Sequence, residues 1–157
     1  MFFICIFRFH CGGSLLSSDT VLTAAHCVLD STFNFTTNER MIIPLPKEKL
    51  KIVVGDHTRS KNEGTEQIVR VKDYFPHPSY QKNVTHDNDF AIIKLANEVK
   101  FTKYVNPICL PQTSSNFESV ETTASGWGSL QELYSGTHDI LQKVHRSYIF
   151  IYEFFEY

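Results

Sequence analysis

The apolar positions that follow Asp89, through Leu95, divide between two faces. Ala91, Ile93 and Leu95 fall on one side and Phe90, Ile92 and Lys94 on the other, the two-residue period of a half-buried strand. Residues 51–55 (Lys-Ile-Val-Val-Gly) and 67–71 (Gln-Ile-Val-Arg-Val) carry the β-branched density of two further strands, joined by an acidic connection over residues 56–66. The apolar start of the chain reads as strand, with residues 7–10 leading into Cys11. Residues 28–49 read as a polar loop in which Pro44 and Pro46 disfavour helix, and residues 73–80 as a loop punctuated by Pro76 and Pro78.

Composition narrows the class. With 157 residues, 42% of them hydrophobic, the chain can build one globular domain around a real core. A net charge of -2 gives no bias toward polyanions, so nucleic acid is not an expected partner. The apolar run over residues 1–10 is too short to span a bilayer, and it has neither a basic start nor a small-residue cleavage site, so neither a membrane span nor a signal peptide is expected. The cysteines, Cys5, Cys11, Cys27 and Cys109, contain no Cys-x-x-Cys pair, which argues against a zinc ribbon or a thioredoxin-type site and fits an oxidising, extracellular setting. Asn34-Phe35-Thr36 and Asn83-Val84-Thr85 are glycosylation sequons that suit secreted surface loops, and equally suit loops left unmodified.

Three constellations carry candidate chemistry. Cys11 and Cys27 bracket a hydrophobic run that ends in Thr23-Ala24-Ala25-His26. The small residues let the backbone pack closely and leave the ring few alternative positions. A bond between the two cysteines would close a loop of about 16 residues, worth about 3 kcal/mol in the chain-entropy model; the other reading is a core histidine beside two reduced thiols. Asp89 stands at the mouth of the alternating strand, where a carboxylate can be buried and can accept a proton from an imidazole. Asp56, Glu63 and Glu66 can bring hard oxygen donors together on one short loop, which suits Ca²⁺, while Arg59 and Lys61 offer the alternative of a solvated, self-neutralised acidic hairpin.

Cys-Gly-Gly-Ser-Leu-Leu at 11–16, followed by Val-Leu-Thr-Ala-Ala-His-Cys at 21–27, resembles the histidine segment of the trypsin/chymotrypsin family of serine proteases. Asn-Asp-Phe-Ala-Ile-Ile-Lys-Leu at 88–95 resembles that family's aspartate strand, in the order the family requires. The resemblance implies an all-β fold: an antiparallel six-stranded barrel without its N-terminal segment over 7–110, the start of a second barrel over 111–145, and a divergent tail at 146–157, the whole of 1–157 being a single partial protease domain. It also implies His26 as general base, Asp89 as the group that orients it, and a Cys11–Cys27 disulfide. The loop opened by Gly55-Asp56-His57 and closed by Glu63-Gly64-Thr65-Glu66-Gln67 resembles the calcium loop of trypsins, which would make Asp56 and Glu66 side-chain ligands, Thr58 and Lys61 carbonyl ligands, and Glu63 a nearby carboxylate. Asp56 stands where trypsins usually have the longer Glu.

The family's other parts are not found among these residues. There is no Ile-Val-Gly-Gly-type activation segment, and no Gly-Asp-Ser-Gly-Gly to supply a nucleophile and an oxyanion hole. Ser14, Ser125, Ser129 and Ser135 lack the glycine-framed turn, and Cys109 lacks the pro-region partner it has in many two-chain members. The expectation is therefore a trypsin-like serine endopeptidase by descent, inactive as these 157 residues and acting on or binding proteins or peptides. The alternative is a secreted non-catalytic homologue that binds partners through its barrel loops.

Overall fold

The computed structural model describes residues 2–6, 8–34, 36–80, 87–112, 120–129 and 136–146. They fall into two units, one of Met1–Asp56 with Glu63–Cys109 and one of His57–Asn62 with Leu110–Tyr157. The first unit holds β1 (Phe2–Ile6), β2 (Arg8–Leu15), β3 (Thr20–Thr23), β4 (Leu29–Asn34), β5 (Glu39–Pro44), β6 (Lys51–Val54), β7 (Gln67–Pro76) and β8 (Ala91–Leu95). The second holds β9 (Thr122–Gly126) and β10 (Gln142–Arg146).

Six strands of the first unit close into an antiparallel barrel in the order β1-β2-β3-β8-β7-β6. This is the six-stranded trypsin-like barrel that the resemblance implies, beginning before residue 7. Phe2–Ile6 forms a strand of its own, paired with β2 on one side and β6 on the other, and so provides the seam through which the barrel closes. Closure leaves no free edge on the barrel, the usual structural answer to unpaired strand N–H and C=O groups.

The alternation along β8 points Ala91, Ile93 and Leu95 inward, all buried, while Ile92 and Lys94 stay partly exposed. Val21 on β3 lies opposite Leu15 on β2 and Ile93 on β8, so three buried side chains meet across three strands. Ile52 and Val54 of β6 and Leu50 just before it complete the interior. Burying each such side chain contributes about 1.5–3 kcal/mol.

The turn between β2 and β3 is pinned by side chains. Asp19 Oδ1 accepts from Ser17 Oγ (2.8 Å) and Thr20 Oγ1 (2.7 Å), and Lys94 Nζ of β8 reaches the same carboxylate at 3.2 Å. The Leu95 N–H donates to the Asp19 carbonyl, which ties this turn to the far end of β8.

Two segments read as loops are strands. Residues 29–44 form the β4–β5 ribbon, with Leu29 opposite Pro44 and Thr32 opposite Met41. β-branched and long apolar residues at 41–43 favour extended chain, Pro44 sits at the strand end where no ladder N–H is needed, and Asn38 at φ 57 makes the turn. Its base is closed by Leu45 N–H donating to the Val28 carbonyl and by the Tyr74 hydroxyl donating to the Leu45 carbonyl. Likewise β7 continues through Asp73, Tyr74 and Phe75 to Pro76, because β8 offers partners along that length. The sequon at Asn34 falls at the end of β4, and the one at Asn83 lies outside the described residues.

The second unit pairs β9 with β10 over Thr122–Gly126 and Gln142–Arg146. Segment His57–Asn62 belongs to it: Thr58 bridges Ile140, Ser60 donates to the Asp139 carboxylate through both N and Oγ, and buried Trp127 donates from Nε1 to the His57 carbonyl. The acidic connection read as one loop is thus shared between the units, and Arg59 donates to Thr137 Oγ1 at 2.8 Å.

Gly55 follows β6 at φ +76, and a Cβ there would clash with the Thr65 carbonyl oxygen and meet Val105 Cγ2 at 2.9 Å. Gly55→Ala combines a left-handed backbone with a clash against main chain and should lower stability by about 2 kcal/mol or more, read from the urea midpoint. The hydroxyls of Thr20 and Ser17, followed by Lys94, hold the Asp19 carboxyl well below its ordinary 3.8, at about 2. Its contribution is fully present above that ordinary value and is lost as pH falls from 3.8 toward 2. Acid unfolding followed by circular dichroism should therefore be shallower over this interval in Asp19→Asn.

Candidate active site

The site is built where β3 ends and β8 begins. Thr23, the last residue of β3, lies opposite Ala91, the first of β8. Beyond Thr23 the chain turns through a short 3-10 segment, Ala25–Cys27, and carries His26 back over the barrel end; two residues before Ala91 stands Asp89. The Thr23 hydroxyl donates to the Gly12 carbonyl at 2.8 Å and fixes the exit from the strand. Buried Ala25 and the small Ala24 let the turn pack against the core without displacing it.

His26 Nδ1 is 2.6 Å from Asp89 Oδ2, and the backbone N–H of His26 donates to Asp89 Oδ1 at 2.9 Å. A carboxylate can only accept here, so Nδ1 carries the proton and the lone pair of the neutral ring lies on Nε2. The Asp89 side chain is 8% exposed and that of His26 38%, so the carboxylate is enclosed while the imidazole keeps one open side. An enclosed carboxylate needs several donors to offset its desolvation, and both of these come from one residue.

Cys11 and Cys27 form a disulfide behind the ring. Their sulfurs lie 3.9 and 3.6 Å from Nε2, so the imidazole is wedged between the bridge and the carboxylate. Cys109 is exposed and has no disulfide partner among the described residues.

A wall that the sequence reading does not include stands beside Asp89. The Asn88 side-chain amide donates to the Ser79 carbonyl, the His77 N–H donates to the Phe90 carbonyl, and the His77 and Phe90 rings meet with centroids 4.5 Å apart. Together these bring residues 77–80 against 88–90. Tyr80 is buried there, and among the described residues its hydroxyl has no hydrogen-bond partner. Burial, and secondarily the Asp89 charge, push its phenol up to about 12. Only the Tyr in a Pro-punctuated stretch could have signalled this, and such residues are common on surfaces.

The serines can be located as well. Ser14 is inside β2 opposite Leu22, and Ser125 inside β9 opposite Lys143, so both sit in regular strand. Ser135 lies outside the described residues.

On the acidic connection, carboxylate oxygens of Asp56, Glu63 and Glu66 lie within 4.8 Å of one another, with Asp56 Oδ1 buried. The N–H of Glu63 (2.7 Å from Oε1), then that of Glu66 itself, hold the Glu66 carboxyl below its usual range, with Gly64 and Thr65 adding to the effect. Thr58 and Lys61 belong to the second unit, where the Lys61 N–H donates to the Thr58 carbonyl.

A sequence model of the Trypsin family matches residues 3–149. Mannan-binding lectin serine protease 1 of Rattus norvegicus is 37% identical over 121 residues, which cover 75% of this chain and 16% of that protein. Ovochymase of Halocynthia roretzi is 34% identical over 125 residues, covering 78% of this chain and 7% of that protein. Venom serine protease Bi-VSP of Bombus ignitus is 36% identical over 138 residues, covering 84% of this chain and 34% of that protein. The chain thus spans at most about a third of the length of these relatives.

Proposed function

Because this chain belongs to the trypsin family, we propose that it is the base-bearing part of a serine endopeptidase domain that cleaves peptide bonds in protein substrates. The observation that carries this reading is the 2.6 Å contact between His26 Nδ1 and Asp89 Oδ2, made by residues 63 positions apart. In it, Asp89 holds the ring in the tautomer that presents Nε2 as base and stabilises the imidazolium formed when Nε2 takes a serine proton. His26 then returns that proton to the leaving amine. The Cys11–Cys27 bridge supports an extracellular setting, since disulfides persist where thiols are not kept reduced.

These 157 residues contain no Gly-Asp-Ser-Gly-Gly, so by themselves they have a base and an orienting acid with no nucleophile to activate. Loss of the serine alone costs about a millionfold in subtilisin, and the stretch alone is accordingly inactive. Among the described residues no helix is long and apolar enough to cross a membrane.

We also propose that Asp56, Glu63 and Glu66 hold a structural Ca²⁺. The donor set suits it: hard oxygens, one of them buried, separated by no more than about the 4.8 Å that two oxygens each about 2.4 Å from one ion can span. The ion would cross-link the start and end of the acidic connection and supply no chemistry to the reaction.

Two measurements test these readings. Joined to the serine-bearing half of a trypsin-family protease, the chain should hydrolyse peptide substrates and take up a fluorophosphonate probe. Asp89→Asn should then lower kcat by about 10⁴, the loss known for that exchange in a serine protease triad. The unjoined chain should remain unlabelled. A folded fusion whose hydrolysis ignores His26→Ala defeats the base assignment, and labelling of the unjoined chain defeats the claim of inactivity. Millimolar Ca²⁺ should raise the melting temperature of the wild type and not of Asp56→Asn; an unchanged wild-type midpoint removes the calcium site.

A further inference from the structure

The outer wall of the barrel gathers positive charge on one face. Lys51 on β6 stands directly opposite Arg70 on β7, and both are exposed. Lys49, two residues before Lys51, and Lys72, two residues after Arg70, extend the row in the same direction and are exposed as well. We propose that this face of β6 and β7 is a docking surface for a sulfated polysaccharide.

Strand geometry sets the spacing. Residues directly opposite in an antiparallel pair have Cβ atoms about 4.5–5.5 Å apart, and positions two apart on one strand are separated by about 7 Å. The alternation along β6 buries Ile52 and Val54 and turns Lys51 outward; along β7 it buries Val71 and turns Arg70 outward, with Lys72 next on the exposed side. The short 3-10 segment Lys47–Lys49 lies beside this end of β7, since Lys47 Nζ is 3.7 Å from Asp73 Oδ1. Like charges facing each other across an antiparallel pair cost stability, so the packing of the barrel does not call for this arrangement.

The acids nearby do not cancel the row. Asp73 faces Lys47 and accepts the Tyr74 N–H at 3.0 Å, and Glu66, just before β7, accepts the Glu63 N–H of its own turn. Glu48 is the acid left over on these elements. Among the described residues Lys49, Lys51, Arg70 and Lys72 have no ion-pair partner. The net charge of -2 is a sum over the whole chain, and it conceals a face on which cations outnumber carboxylates.

The chemistry of the row selects the partner. Sulfate groups stay charged at neutral pH and accept hydrogen bonds from ammonium and guanidinium groups, with Arg70 able to donate two in parallel. The other outward residues of this stretch, Val53 and Ile68, bring no aromatic ring on which a nucleobase could stack. The Cys11–Cys27 bridge supports an oxidising, extracellular setting, where sulfated polysaccharides are the polyanions at hand; the choice of polymer rests on that setting, proposed above. In the ring of six strands β6 stands across from β3, which leads into the His26 turn, so the polymer is held on the wall away from the base. Such a surface would tether the chain to a charged matrix while the His26 side stays open to protein substrates.

Binding is measured on the full chain by itself, so a negative result is distinct from a failure of the proteolytic reading. Heparin, as the sulfated probe, should bind at about 0.15 M NaCl and weaken steeply as salt rises. Exchanging Lys51→Gln together with Arg70→Gln should weaken heparin about 25-fold, about fivefold for each exposed cation removed. Lys103→Gln, at an exposed lysine seated over the Tyr104 ring, should leave the affinity within about twofold. The Lys51 and Arg70 exchanges should not lower the melting temperature of the unliganded chain, because they remove a facing pair of like charges. In the wild type, bound heparin should slow acetylation of Lys49, Lys51 and Lys72 relative to Lys103, a readout that needs no variant. No binding at about 0.15 M NaCl, unchanged affinity in the double variant, or equal protection of Lys103 overturns the proposal. So does tighter binding of duplex DNA or of phosphatidylserine vesicles than of heparin.

Discussion

The pairing of β3 with β8 is the constraint on which the rest depends. With Thr23 opposite Ala91, the last residue of one strand faces the first of the other, and the short segments beyond them carry His26 and Asp89 to the same end of the barrel. A slip of one residue would turn Ala91, Ile93 and Leu95 out of the core and carry Asp89 away from His26. Buried Val21 against Ile93 at mid-strand and Asp19 with Lys94 at the far end hold the register at separate places. Packing and polar contacts therefore agree on a single alignment, and the 2.6 Å contact is its product.

What could be read from the residues follows the same physics. β8 was legible because Ala91, Ile93 and Leu95 recur at the two-residue period after Asp89, and β6 because Ile52 and Val54 lie two apart among β-branched neighbours. The His26 and Asp89 segments were legible as motifs, although no local pattern states that residues 63 positions apart will touch; that depends on strand order. The β4–β5 ribbon was not legible because its polar residues, with Pro44 at its end and Pro46 just beyond, imitate a loop, and beyond buried Leu29 its strands pair with each other while Met41, Ile42 and Ile43 remain exposed. Tyr80 was missed for a similar reason, its burial being created by distant contacts around residues 88–90.

The acidic connection illustrates how one stretch of sequence can serve two structures. Its ends, Asp56 and residues 63–66, belong to the barrel unit, where Glu66 is satisfied by the N–H groups of its own turn. Its middle belongs to the second unit through Ser60 and Asp139 and through the His57 carbonyl under Trp127. Arg59, which charge alone would assign to the carboxylates, also donates to Thr137 Oγ1. A charge pattern records composition, and hydrogen-bond geometry decides which charges meet.

Strand order also sets the sequence of events as the polypeptide matures. His26 emerges from a ribosome well before Asp89 has been translated, and the strand that must lie beside β3 is the last of the six to appear. Joining them closes a long loop, an entropic cost met late and all at once when the sheet curls shut. Until that moment the imidazole has no carboxylate against it, so a nascent or partly assembled chain holds its proton-accepting group in an untuned state.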